Sequence, residues 1–435
     1  MRQNKGLRPE AIMEMWQASG LTFKVTFTLL MIFVVRLGVQ IPMAGLNNDV
    51  IAKAFQQGGF LQFADLFAGG ALAKFSILAL GILPYINASI IIQLMTSVIP
   101  KLEEMQKEGG ESGRQQISQI TRYLTIILAT VQSSGMALWL WRGNMILDHP
   151  AKGPMPVLFI ITSAATLVAG AIFVMWLGEQ MTEHGIGNGA SLLIFIGIVA
   201  AIPTYARKTY ELVQGGATNW FMVMVMVASY FLVVVIVVYA SEGARKIPVQ
   251  SAKKQVGNRV YGGRSTYLPF RLNQGGVMPI IFASSVMMFP ATVAQFAPKV
   301  SFLKTVTGYM NQQPWYGVIF ITMIVFFSFF YASLTMNPQE IANNLKRYGS
   351  YIPGYRPGRP TADYLEKILT RMTFCGAVFL AVLVVFPMIM VEITHIHTLD
   401  GIGSTSILIM VGVAIDLFNQ LQSHLLSRQY EGFTS

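Results

Sequence analysis

The chain has 435 residues, 53% of them hydrophobic and 12% charged, with a formal net charge of +11. Uncharged runs of about 20 residues recur too often for a soluble core to hide, so the composition excludes a soluble globular protein and defines a polytopic membrane protein. A single cysteine, Cys375, excludes a disulfide framework and a thiolate metal cluster.

The N-terminal residues MRQNKGLRPEAIMEMWQ are basic and polar, and no apolar core followed by small residues marks a cleaved signal peptide. Apolar runs then predict ten spans, at about 21–40, 75–99, 123–141, 155–177, 186–202, 220–240, 275–297, 315–336, 372–391 and 405–425. An even number puts both termini on one side. With the termini cytosolic, the cytosolic segments carry 22 Lys and Arg against 8 on the opposite side, Arg36 near the end of the first span being left out. Both termini are therefore expected in the cytosol.

Residues 61–100 hold two different objects. Phe75 to Ile99 is uncharged over 25 residues, and a helix of that length is about 37 Å long, enough to cross a bilayer with some tilt. Leu61 to Ala73 makes only about 20 Å of helix and contains the pair Gly69-Gly70. It is too short to cross, and a short segment that turns back is tolerated at membrane depth only inside protein or beside a water-filled cavity.

Two cytosolic loops, 241–271 and 337–371, hold most of the excess positive charge. One reading makes that charge a topology signal. The other makes it a docking surface for a polyanionic or acidic partner, favoured by the length of the loops and by the Pro, Gly and aromatic residues of YIPGYRPGRP at 351–360.

An internal repeat is legible. Pro84-Tyr85-Ile86-Asn87-Ala88-Ser89 in the second span is echoed by Pro279-Ile280-Ile281-Phe282-Ala283-Ser284 in the seventh. Gly185-Ile186-Gly187 with Ser191-Leu192-Leu193-Ile194 at the fifth is echoed by Gly401-Ile402-Gly403 with Ser406-Ile407-Leu408-Ile409 at the tenth. A common offset of five spans means that the two halves, meeting near residue 215, enter the membrane in opposite senses, as inverted repeats of transport proteins do.

Several chemistries are missing. No GxxxxGK[ST] is present for ATP, and GIGNG at 185–189 opens a span and follows no strand, so it reads as a helix start with close backbone approach. His395 and His397 are the only close histidine pair and lack a third ligand. No Ser/His/Asp or HExxH pattern marks an enzyme, and no cofactor is expected. An ion-coupled carrier of small solutes, the alternative class that a repeat permits, needs midplane carboxylates. Asp416 alone qualifies by position. Gln93, Gln132 and Asn273 are uncharged and suit interhelical hydrogen bonds, including bonds that hold shut a seam that opens.

Longer motifs carry a resemblance. FxGGALxxxSIxALGIxPYIxASIIIQL (67–94), EGGESGRxxISQxTRY (108–123), WLGEQMTEHGIGNGxSLLIF (176–195), VMPIIFASS (277–285), NPQEIANNLKRYG (337–349) and IPGYRPGRPTADYLEKILTR (352–371) together resemble the SecY family, the channel subunits of bacterial and plastid protein translocases. The resemblance implies an all-α polytopic membrane protein whose ten helices form two inverted five-helix halves, 1–215 and 216–435, around an hourglass pore with a short re-entrant plug helix. It implies a protein-conducting channel that passes unfolded secretory chains and releases membrane helices sideways into lipid.

Carried over by motif, the pore ring falls on Ile82, Ile86, Ile194, Ile281 and Ile409. The repeat makes Ile86 and Ile281 mates, each two residues after the matched proline, and Ile194 and Ile409 mates, each three after the matched serine. Apolar side chains converging on one point dewet when the pore is empty, so ions stop while diverse chains pass. The plug becomes about 61–74, with Asp65, Leu66, Phe67, Gly69 and Gly70 and a hinge at the glycine pair. Gln93, Gln132 and Asn273 line the implied lateral gate, and Arg259, Lys346, Arg347 and Arg356 the docking surface. The implied partners are SecE-type and SecG-type small subunits, a SecA-type motor ATPase, the ribosome, preproteins with signal sequences and membrane lipid. The implied membrane is the bacterial plasma membrane or the thylakoid.

Overall fold

Lipid offers a backbone no water to bond, so each apolar run must close its own hydrogen bonds as a helix. The computed structural model describes residues 21–47, 50–51, 65, 67–143, 145–146, 157–216, 218–251, 254–256, 259–261, 265–272, 274–296, 315–394 and 404–431. Its helices are α1 (Leu21–Val39), α2 (Leu83–Val98), α3 (Pro100–Lys107), α4 (Gly110–Arg142), α5 (Val157–His184), α6 (Gly189–Gln214), α7 (Trp220–Glu242), α8 (Met278–Phe296), α9 (Trp315–Thr335), α10 (Pro338–Arg347), α11 (Arg359–Thr394) and α12 (Ser404–Glu431). Among the described residues eight helices are long and apolar enough to cross a membrane, or nine if α2 and α3, bent by 102° at Ile99, count as one span.

Among the described residues five strands interrupt the helices. They are β1 (Ala244–Ser251), β2 (Lys254–Val256), β3 (Arg259–Tyr261), β4 (Ser265–Arg271) and β5 (Ser350–Tyr351). β1 lies between β4 and β5 in an antiparallel sheet, with Ile247 opposite Leu268 and Gln250 opposite both Ser265 and Tyr351. β2 and β3 pair as a second ribbon. Alternation along β1 buries Ile247 and Val249 and exposes Lys246, Pro248 and Gln250. The buried face packs with Phe270, Ile352, Leu365, Ile368 and Leu369, so the start of α11 supports the sheet.

Helix ends depart from the apolar runs in a consistent way. The ninth expected span began at 372, whereas α11 begins at Arg359; the third began at 123, whereas α4 begins at Gly110. Hydropathy detects only what lipid covers, and these helices continue past it with polar residues on their surfaces. α6 runs beyond the expected 202 through Pro203, and the Arg207–Glu211 pair, 2.9 Å apart, spans its last turns.

The second expected span requires a correction. Phe75 to Ile99 is not one helix: residues 68–82 form successive turns and α2 begins only at Leu83. Phe75 has φ +44 and Gly81 φ +54, both in the left-handed region that a right-handed helix cannot contain. Pro84 in the first turn of α2 then supplies a helix start that needs no N–H partner.

The chain divides into two compact units, one formed by Met1–Glu211 with Met288–Thr307 and Val413–Ser435, the other by Leu212–Met287 with Gly308–Gly412. In the first, the turns at 68–82 are the core: Ala68, Ala71, Leu72, Phe75, Ala79 and Leu80 pack with Val39, Ala129, Leu140, Leu167 and Ala171 of α1, α4 and α5. In the second, Phe282 of α8 meets Phe327 and Tyr331 of α9 edge to face.

Candidate functional site

The broken segment is held from several sides. Met43 N–H donates to the Phe75 carbonyl at 3.0 Å and Ile77 N–H to the Ile41 carbonyl at 3.1 Å, a strand-like pairing that fixes 75–77 beside the chain leaving α1. Before it, Asp65 closes a loop: its Oδ1 accepts from Ala73 N–H at 2.8 Å and its carbonyl from Gly70 N–H at 3.0 Å. Burial pushes the Asp65 carboxyl up, against the opposing hydrogen bonds from Ala73 and Leu72 and the fields of Lys208 and Lys74. Gly69 and Gly70 have φ +66 and +85, so both sit in the conformation glycine adopts freely. A Cβ on Gly69 would lie 3.0 Å from the Gly197 Cα of α6. Of the expected plug residues, Asp65, Phe67, Gly69 and Gly70 belong to this packed knot, with Phe67 and Gly69 buried; Leu66 lies outside the described residues.

The five isoleucines are all buried: Ile82 2%, Ile86 8%, Ile194 1%, Ile281 5% and Ile409 0% exposed. Their places along the helices correspond. Ile86 is the fourth residue of α2 and Ile281 the fourth of α8; Ile194 is the sixth of α6 and Ile409 the sixth of α12. Each pair therefore stands in the first two turns of its helix, one member in each compact unit. Ile82 caps α2, and its Cδ1 lies where a Cβ on Gly178 of α5 would come within 3.2 Å, so it also packs the span against its neighbour.

The glycines at 185–189 make a helix start with close backbone approach. Asn188 Oδ1 accepts from Ser191 N–H at 3.2 Å and Thr182 Oγ1 from Gly189 N–H at 2.9 Å, while a Cβ on Gly189 would overlap the Gly178 carbonyl oxygen. Among the described residues no group of three His, Cys, Asp or Glu is placed to hold a metal, and His395 and His397 lie outside them.

Of the expected gate residues, Gln93 on α2 and Gln132 on α4 are half-buried in the first unit, and Asn273 lies outside the described residues. Where α4 meets α5, Arg122 Nε donates to Glu179 Oε1 at 2.9 Å.

The expected docking residues stand on shaped elements. Asn337 caps α10, its Oδ1 accepting from Gln339 and Glu340 N–H, and exposed Lys346 and Arg347 end it, where cations oppose the helix dipole. Arg356 is exposed on a loop fixed by a Tyr355–Tyr364 stack at 4.0 Å and by Thr361 Oγ1 donating to the Arg356 carbonyl at 2.7 Å. Arg259 lies in β3, paired with Val256.

Sequence reasoning passed over one residue here. Arg36 was set aside as a charge near a helix end, yet its Nη1 donates to the Gly69 carbonyl at 2.7 Å, 33 residues away. A lone cation in an apolar run was the available signal.

A polytopic helical membrane protein with a broken segment packed inside one unit, and a matched pair of helix starts divided between two, belongs to the class that moves material across membranes. Residues 76–418 match the family model SecY. The protein translocase subunit SecY of Synechococcus elongatus is 46% identical over 432 residues, covering 97% of this chain and 96% of the relative. The chain belongs to the SecY family. Solved folds agree: a structure described as that of a protein conducting channel aligns at TM-score 0.67 with 18% identity over 93% of this chain and 92% of its own. Sec61 in the canine ribosome-channel complex from the endoplasmic reticulum aligns at 0.63, with 17% identity over 93% and 92%. The small-solute carrier reading finds no support in these matches.

Proposed function

We infer that the chain is the protein-conducting channel of a translocase, passing unfolded polypeptides across the membrane through a pore that is otherwise sealed. The observation that carries this reading is the correspondence of Ile86 with Ile281 and of Ile194 with Ile409 at equal depths in their helices. A collar of such side chains excludes water when empty and prefers no particular sequence when filled. Four symmetric isoleucines with Ile82 form the ring, in ten spans arranged as two inverted halves, 1–215 and 216–435. Residues 61–74 act as the plug, and Gln93, Gln132 and Asn273 line the gate that opens to lipid for signal sequences and membrane helices.

Energy comes from outside the chain, through a SecA-type motor or a ribosome docked on Arg259, Lys346, Arg347 and Arg356. The similarity to a ribosome-bound Sec61 fold supports the ribosome, and small SecE-type and SecG-type subunits complete the assembly. The termini face the cytosol, by the Lys and Arg asymmetry, in a bacterial plasma membrane or a thylakoid. A secretory chain stalled midway and carrying a photo-crosslinker should react with positions 86 and 281 of the active complex. Reaction elsewhere but never there would refute the collar.

A further inference from the structure

Arg36 occupies the last turn of α1, where the ordinary explanations of a cation are a favourable helix dipole and a long side chain reaching toward water. Its geometry says more. The guanidinium is half-buried and turned inward, with Nη1 2.7 Å from the carbonyl oxygen of Gly69. An ionised donor on a peptide carbonyl in a low-dielectric surrounding is a strong hydrogen bond.

Position 69 is shaped for this contact. At φ +66 its carbonyl is turned by a backbone that glycine alone adopts freely, and a Cβ there would stand 3.3 Å from Arg36 Nη1 and 3.0 Å from Gly197 Cα. The knot at 65–73 is closed by Asp65 and joined by Phe75 N–H to the Leu72 carbonyl and by Ser76 N–H to the Ala71 carbonyl to residues 75–77, which are themselves tied by backbone pairing to residues 41–43. The Arg36 bond thus adds a side-chain tie from α1 to the knot at Gly69, ahead in the chain of the backbone bonds that join it at Ala71 and Leu72 to the anchored stretch.

We propose that Arg36 is the latch of the plug: a positioning residue that holds the turns around Gly69 shut through the Gly69 carbonyl and gives them up when a chain enters. The inference rests on the plug reading of residues 61–74. One bond to a backbone carbonyl suits a latch, because it breaks without unfolding the knot and re-forms without a sequence-specific partner.

The test uses the complete complex reconstituted in proteoliposomes, with resting ion conductance as the readout and a deletion of residues 61–74 as the reference for an absent plug. Arg36→Gln and Arg36→Met remove the ionised donor, and methionine keeps an unbranched stem suited to a span. Each should raise resting conductance by about tenfold, the loss expected for one charge-assisted bond. Arg36→Lys should restore most of the seal. In a Cys375→Ser background, Ala68→Cys, at a site buried when the knot is docked, should be labelled faster by an impermeant maleimide once Arg36 is replaced by Met. If the deletion leaks while the Gln and Met variants stay as tight as the parent, the latch is refuted and the plug stands. If Arg36→Lys leaks as much as Arg36→Gln, the donor is irrelevant and the latch is refuted. If the deletion itself does not leak, the plug reading fails and the latch with it.

Discussion

Phe75 offers a test in which the usual order of two substitutions is reversed. It is fully buried and holds φ +44, the one non-glycine residue with a positive φ among those described. Truncation to alanine removes the ring at a cost of about 3–5 kcal/mol and leaves the backbone strained by roughly 1–2 kcal/mol. Truncation to glycine removes the same ring and the strain as well, while giving the unfolded chain extra freedom worth about 0.4–1 kcal/mol. The cavity is nearly the same in both, so it cancels in the comparison. Phe75→Gly should therefore be more stable than Phe75→Ala by roughly 0.5–1 kcal/mol, both lying below the parent. Inside a helix the order would be the opposite, by about the same amount. Thermal denaturation of the detergent-solubilised complex, read as loss of the monodisperse species, measures the difference. An alanine variant more stable than the glycine variant would show that residue 75 is not held in the left-handed region.

Two further substitutions probe the proposed plug and the proposed docking surface. Burial raises the Asp65 pKa in the docked knot above the ordinary 3.8, so the knot binds a proton more tightly docked than free. Docking is then strongest below the ordinary value and weakens as pH rises through the docked-state pKa. Resting conductance should rise over that window, and Asp65→Asn, which keeps an Oδ1 acceptor for Ala73 N–H, should lower conductance at neutral pH and flatten the profile; an unchanged profile would remove Asp65 from the explanation. Arg356→Glu reverses an exposed charge while leaving the Tyr355–Tyr364 stack and the Thr361 bond to its own carbonyl in place. Motor- or ribosome-driven export should fall while stability stays within about 0.5 kcal/mol of the parent, and full export would count against docking at this loop.

Much of the fold was readable because lipid imposes a simple demand: an apolar run of span length must be a helix. The same rule could not find the ends. α4 and α11 extend 13 residues each before the apolar runs that announced them, since a helix does not stop where water begins. The β1 and β4 ribbon was readable too, from the period-two spacing of Ile247 and Val249, but the charge of that loop drew the reading toward topology and docking. The left-handed turn at Phe75 was not readable at all: hydropathy carries no φ, and phenylalanine is a residue that φ +44 ordinarily excludes. Pro84 carried a signal for the start of α2 that the reading of 75–99 as one helix passed over. A proline two residues into a helix costs nothing, whereas one nine residues inside a helix begun at Phe75 would break a hydrogen bond and collide with the preceding turn.

That break bears on how a seal and a channel share one chain. Had Phe75 to Ile99 been a single helix, any displacement of the proposed plug would have levered α2 and carried Ile82 and Ile86 out of the proposed collar with it. In the structure the left-handed residues Phe75 and Gly81 lie between the proposed plug and α2 along the chain, and 75–77 are pinned by backbone bonds to 41–43. Phe75 N–H on the Leu72 carbonyl at 3.0 Å and Ser76 N–H on the Ala71 carbonyl at 2.9 Å join the knot to that pinned stretch, so along the chain the anchor at 41–43 stands between the knot and Leu83. The glycine pair at 69–70, the expected hinge, lies in the knot, where the Asp65 carbonyl accepts from Gly70 N–H and Arg36 bonds the Gly69 carbonyl. The glycines there shape the turns and expose the carbonyl that Arg36 bonds.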